Sequence, residues 1–112
     1  MIILSWPPKE LNPNSRCHWA KKAKATKAYR NAAGWATVES KDKVEGDGSI
    51  WLNITFYPPD KRRRDLDGML SSIKGGLDGI ADGLAVNDCR FKLQIEVCSV
   101  IKGGQVRVII TG

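Results

Sequence analysis

Two aspartates one residue apart, Asp65 and Asp67, follow directly on a run of four cations, Lys61, Arg62, Arg63 and Arg64. In extended chain, residues i and i+2 point the same way, so both carboxylates would be aimed into one small space. Such a pair repels itself, and a proton or a divalent cation relieves the repulsion. Mg²⁺ prefers hard oxygen ligands and commonly takes only one or two protein carboxylates. Two aspartates so spaced are common, and on their own they fit a plainer arrangement better: Asp67 caps a helix and Asp65 pairs with an arginine.

Three features bear on that choice. Asp88 lies in the loop after the helix that Asp65 and Asp67 precede. If the strand ends flanking that helix share one edge of a sheet, the three carboxylates meet. Lys74 stands seven residues after Asp67. On a continuous helix that is nearly two turns, which puts the two on one stripe about 10.5 Å apart along the axis. The cationic run borders the acids, and arginine binds phosphate bidentately while lysine acts as a point charge. An acidic metal centre rimmed by cations suits a phosphodiester: the cations hold the backbone while the metal activates water and stabilises developing charge.

The elements that must position these residues are legible as patterns. Ile2-Ile3-Leu4 reads as a short buried strand stopped by Pro7-Pro8. After a polar loop, Ser15 is a candidate cap for an Ala- and Lys-rich helix from about Arg16 to about Glu39, with a thin apolar face of Trp19, Ala23, Ala33 and Ala36. Ile50, Leu52, Ile54 and Phe56 alternate with Trp51, Asn53, Thr55 and Tyr57, a strand ended by Pro58-Pro59. From Met69 to Leu84 the apolar residues follow helical spacing. Gly76, Gly79 and Gly83 interrupt that segment on one face, where another backbone could approach closely. Phe91–Val100 alternates again, Gly103-Gly104 reads as a hairpin turn, and Val106, Val108 and Ile110 mark a last strand. The expected fold is α/β (α+β), one domain over residues 1–112. It has a small mixed sheet of about four strands with two helices, in the order β-α-β-α-β-β.

Composition narrows the function classes. The 112 residues are 42% hydrophobic and 27% charged, which is globular rather than disordered. No apolar run approaches the roughly 20 residues of a membrane helix, so no membrane association is expected. The opening MIILSWPPKE has neither a basic n-region nor a long h-region, so no signal peptide is expected. The three cysteines, Cys17, Cys89 and Cys98, are odd in number and lack a CxxC, which fits a reduced, cytoplasmic setting. The net charge of +6 is uneven: residues 1–64 hold 13 Lys/Arg and 6 Asp/Glu, the remainder 5 and 6. A basic first half on a small chain suggests a polyanion partner, nucleic acid above all.

The stretch PPDKRRRDLDGMLSSIKGGLDGIADGLAVND, from Pro58 to Asp88, resembles the core motif of the RusA-type Holliday junction resolvases. That family carries a run of arginines, then D-x-D-N, a helix with a lysine and a later Asp, and an acid just before the next strand. WPPKELNPN near the start and KGGQVRVIITG at the end are similar to the family's N-terminal proline-asparagine segment and closing hairpin. The resemblance implies a Mg²⁺-dependent, structure-selective DNA endonuclease that acts as a homodimer on branched DNA, the four-way junction. It assigns Asp65, Asp67 and Asp88 to metal binding and catalysis and Lys74 to the catalytic lysine. Arg16, Lys21, Lys24, Lys27, Lys61, Arg62, Arg63 and Arg64 would then hold phosphates. The glycine face of the second helix is a candidate for subunit contact. Three positions depart from the family pattern. Gly68 stands where Asn is usual, and Asn87 where some members have a second acid. Lys74 is seven residues from Asp67 rather than about four. The alternative is a non-catalytic basic nucleic-acid-binding protein whose acids are caps and ion-pair partners.

Overall fold

The computed structural model describes residues 1–111. Strands form where apolar and polar residues alternate. β1 (Ile2–Ser5), β2 (Ile50–Tyr57), β3 (Phe91–Val97) and β4 (Gln105–Thr111) make one mixed sheet in the order β1-β4-β2-β3. Helices α1 (Trp19–Ser40), α2 (Leu66–Ser72) and α3 (Lys74–Leu84) pack on it in a single domain. The expected α/β class with a four-stranded mixed sheet is therefore the observed one, with the order β-α-β-α-α-β-β.

β2 is central because its inward residues Ile50, Leu52, Ile54 and Phe56 are all but inaccessible to solvent. A strand buried this completely is flanked on both sides: β4 pairs with it antiparallel and β3 parallel. Gly103-Gly104 does make a tight turn, Gly104 N–H bonding the Ile101 carbonyl at 2.8 Å, but it does not close a β3–β4 hairpin. The connection instead passes over the end of β2, where Ile101 N–H bonds the Pro58 carbonyl at 2.9 Å. Pro58-Pro59 stops the ladder there and leaves that passage open. Gly104 (φ +73°) sits against Trp6, and a Cβ at this position would lie 2.7 Å from the Trp6 Cβ.

The second helical segment differs from expectation in two ways. It starts at Leu66 rather than near Met69, and it breaks at Ile73 (φ −100°, ψ 7°), so one expected helix is two. Ser72 Oγ donates to the Gly68 carbonyl at 2.8 Å, the serine back-bond that bends helices, and two glycines follow the break. Ile73 itself is fully buried, so core packing holds the kink.

α1 also starts later than expected, at Trp19. Its cap is His18, whose Nδ1 accepts from Ala20 N–H at 3.2 Å, and not Ser15. The inward face is Tyr29, Ala33 and Thr37; Trp19 is 75% exposed and Ala23 exposed, so the expected face is only partly right. Tyr29 Oη donates to the Ser5 carbonyl at 2.8 Å, and burial pushes its phenol pKa up. The glycine stripe meets α1 of the same chain rather than a second subunit. A Cβ on Gly79 would collide with the Arg30 carbonyl oxygen, and one on Gly83 would lie 2.7 Å from the Thr37 Cβ. Among the described residues no helix is long and apolar enough to cross a membrane.

α3 ends on Ala85 in the left-handed region (φ 57°, ψ 44°), with Val86 N–H bonded to the Ala81 carbonyl at 3.1 Å. An L-residue with a Cβ is strained there by roughly 1 kcal/mol. Ala85→Gly is therefore expected to raise stability by about 0.5–1 kcal/mol, read as a higher denaturation midpoint at unchanged m-value.

Candidate functional site

β2 ends at Tyr57, and the chain then returns over Trp6 before α2 begins. Trp6 stacks edge-on against Phe56 with ring centroids 6.1 Å apart, and the Arg64 guanidinium lies 5.4 Å from the Trp6 ring centre. Arg64 also donates to the Asp60 carboxylate at 2.9 Å and to the carbonyls of Asp60 and Arg62 at 3.2 and 3.1 Å. Asp60 is thus the acid that takes an arginine of the run. The Arg64 hydrogen bond, helped by the Arg62 N–H, holds the Asp60 carboxyl below the usual carboxylate range. The sequence left Asp60 unconsidered, although an Asp four residues before an Arg in a tight loop is a readable ion-pair signal. Arg64, expected to grip phosphate, is engaged inside the loop.

Asp65 and Asp67 are left without an ion-pair partner among the described residues. Asp65 is the N-cap of α2 but makes no side-chain cap bond, and Asp67 lies in the first turn. Asp67 is therefore helical, and the extended-chain geometry expected for the pair does not apply. Both nonetheless line one open depression with Pro13, Asn14, Gly68 and Ser71. Asp65 also faces an adjoining cleft of about 330 Å³ lined by Trp6, Pro8, Lys9 and Arg63. Asn14 belongs to both hollows, and sequence reasoning did not single it out. A Cβ on Gly68 would meet nothing within 4 Å, so this position has room for the larger residue expected there.

Lys74 lies beyond the kink, exposed, in a neighbouring hollow with Lys22, Ser71 and Asp78. Ser71 and Pro13 are common to this hollow and to the Asp65–Asp67 depression, so Lys74 adjoins the acids although the straight two-turn stripe is broken. Lys61, Arg62 and Arg63 are exposed on the other side, Arg62 with only a 4.0 Å contact to Asp60. Arg16, Lys21, Lys24 and Lys27 are exposed around the start of α1, with Lys21 4.0 Å from Glu10. Arg30, farther along α1, is instead held by Asp82 through bonds of 2.7 and 3.0 Å. That pairing lowers the Asp82 pKa and raises that of Arg30.

Asp88 does not join the other two acids. β2 and β3 run parallel with Ile50 opposite Phe91, so the α2–α3 crossover carries the chain from one sheet edge to the other. Asp65 and Asp67 follow the C-terminal end of β2, whereas Asp88 precedes the N-terminal end of β3. Eight residues of β2 separate those edges, about 25 Å of strand. Asp88 is exposed in a short 3-10 turn (Asp88–Arg90) capped by Asn87, whose Oδ1 accepts from Cys89 N–H at 2.9 Å. Among the described residues no group of three His, Cys, Asp or Glu could hold a metal ion. Asp65 and Asp67 bring to one depression the hard oxygen donors that Mg²⁺ takes, one or two carboxylates with water completing the shell, whereas a three-carboxylate centre does not form within one chain.

Over 119 aligned positions the chain is 39% identical to an "Uncharacterized protein" of Xylella fastidiosa (strain Temecula1 / ATCC 700964), covering 99% of this chain and 75% of that protein. The chain belongs to that protein's family. No family model matches the chain. At 99% coverage the aligned region takes in the elements that build the depression, from β1 to β4.

Proposed function

We propose that this protein is a Mg²⁺-dependent, structure-selective endonuclease that nicks four-way DNA junctions as a homodimer, in the reduced setting of the cytoplasm. The observation that carries the reading is the division of charge around the β2–α2 turn. Asp60 takes Arg64, while Asp65 and Asp67 stay unpaired in an open depression beside exposed cations. The resemblance of Pro58–Asp88 to the RusA-type resolvases supports the same assignment.

Asp65 and Asp67 are the residues that would hold Mg²⁺. Bound there, the ion would supply an activated water and offset charge building on the phosphate oxygens. Lys61, Arg62 and Arg63 fix one stretch of backbone, and Arg16, Lys21, Lys24 and Lys27 another. Lys74, adjoining the depression, offsets negative charge at the scissile phosphate. Asn14, which lines the depression, would donate a neutral hydrogen bond to a phosphate oxygen. A four-way junction has two symmetric strands to cut, so two identical sites related by a two-fold axis match it.

A second reading has one observation in its favour. With Asp88 on the opposite sheet edge, a non-catalytic nucleic-acid-binding protein needs no third carboxylate. Both readings expect binding that weakens steeply with salt. Nicking separates them: the purified protein is expected to nick a synthetic four-way junction with Mg²⁺, and not with EDTA, while sparing linear duplex. Tight junction binding with no nicking in Mg²⁺ or Mn²⁺ would favour the binding protein.

A further inference from the structure

Trp19 is 75% exposed, more than any other large apolar side chain among the described residues. It takes no part in the core. Its ring neighbour is His18, with centroids 5.5 Å apart and planes tilted by 32°. The His18 imidazole is itself fixed, because its Nδ1 accepts from Ala20 N–H. An indole flanked on one side and open on the other offers a flat apolar surface to a second ring.

The packing of α1 on α3 decides where that indole stands. Gly75 faces Thr26, Gly79 faces Arg30 and Ala33, and Gly83 faces Thr37, so the two helices run parallel. The turns of α1 before Thr26 therefore overhang the start of α3, and Trp19 stands about 10 Å beyond Thr26 along the axis. That is the end of α3 that α2 joins. Trp19 shares a helix stripe with Lys22 and Thr26, three and seven residues further on. Both of those line the hollow that contains Lys74 and adjoins the Asp65–Asp67 depression. The surround is cationic. Glu10 lies 4.0 Å from Lys21, but Arg16, Lys22 and Lys24 have no acidic partner among the described residues. The one acid of α1, Glu39, is at its far end.

An open aromatic ring among unpaired cations matches a ligand with flat rings on an anionic backbone. An apolar protein surface would leave those cations uncompensated. The cations grip any DNA backbone alike, so a preference for one DNA structure needs a contact that continuous duplex cannot make. In duplex, each base is covered on both faces by its neighbours. A base face is free only where stacking is interrupted, at a branch, a gap or a single strand.

We propose that Trp19 stacks on an unstacked nucleobase and so selects interrupted DNA over continuous duplex. This deepens the nuclease reading above and rests on it for the substrate: the structure selectivity is assigned to one side chain beside the cutting site.

Binding in EDTA tests the assignment without any cleavage. The probes are a synthetic four-way junction, a single strand from it, and a continuous duplex of the same length. Trp19→Ala is expected to weaken binding of the junction and the single strand about tenfold, with the duplex within about twofold of wild type. Trp19→Phe keeps an aromatic face and is expected to bind the junction within about threefold of wild type, whereas Trp19→Leu should behave as Trp19→Ala. The slope of affinity against salt should not change, because no phosphate contact is removed. All three variants should melt within about 2 °C of wild type, since the indole buries nothing in the core. A Trp19→Ala protein that binds the junction as tightly as wild type overturns the stacking, and so does an equal loss on duplex. Trp19→Leu binding as well as Trp19→Phe also overturns it, and would mark an apolar contact of the kind another protein makes. Failure of the wild type to nick in Mg²⁺ would overturn the nuclease reading instead, and the metal-free binding result would stand apart from it.

Discussion

Asp67→Asn is expected to lower Mg²⁺-dependent nicking of a synthetic four-way junction by about 10³-fold, some 4 kcal/mol of transition-state stabilisation. The substitution keeps the shape of the side chain and removes its charge. Asp67 lies in the first turn of α2, exposed, with no ion-pair partner among the described residues. Nothing in the fold depends on the carboxylate except its favourable position at a helix N-terminus, which contributes roughly 0.3–1 kcal/mol. The thermal midpoint should therefore fall by only a few degrees. Junction binding in Ca²⁺ or EDTA should remain within a few-fold of wild type, because the exposed cations proposed to hold phosphate are untouched. The same change at Asp60 should act differently. Asp60→Asn releases Arg64 from its 2.9 Å ion pair and loosens the loop over Trp6, but removes no carboxylate from the depression. Undiminished nicking by Asp67→Asn in the presence of Mg²⁺ would remove Asp67 from the site.

The contrast between Asp60 and Asp67 shows what could be read in advance. DKRRRDLD presents three acids and four cations within eight residues, and local spacing cannot say which acid meets which cation. The three-dimensional answer depends on Trp6, which is distant in sequence and draws Arg64 across its ring within reach of Asp60. The alternation in Ile50–Tyr57 was legible because one face of that strand is wholly buried, so its period-two pattern is strict. The partner of that strand was not. Gly103-Gly104 carries a hairpin signal, yet hairpin signals are local, and the demand of β2 to be flanked on both sides is not. That difference decided the place of Asp88. With β3 parallel to β2, the acid before β3 goes to the far edge, and spacing along the chain holds no trace of this. The kink at Ile73 was similarly hidden, because the apolar period runs through it unbroken while Ser72 bends the backbone.

The glycine stripe leads to the largest expected effect on stability. Gly79→Ala is expected to destabilise the fold by about 3 kcal/mol, lowering the midpoint by roughly 10 °C. Alanine is the better helix former by about 1 kcal/mol, so an isolated α3 would gain from the change. The packing cost opposes and exceeds that gain. The new Cβ would collide with the Arg30 carbonyl oxygen and lie 2.8 Å from the Ala33 Cβ. A carbonyl inside α1 cannot rotate away without giving up its helical bond, so the helices must separate. Separation loosens Tyr29 and Ala33, both in the core, and pulls at the bond from Tyr29 Oη to Ser5 that ties α1 to β1. Gly83→Ala should behave alike, its Cβ meeting the Thr37 Cβ at 2.7 Å and the Gly34 carbonyl at 2.9 Å. Gly68→Ala is the internal control: it too replaces a helical glycine, but into open space, and should raise the midpoint. If Gly79→Ala matched Gly68→Ala in a thermal melt, α1 and α3 would not be in backbone contact. The glycines would then be free to serve a second subunit.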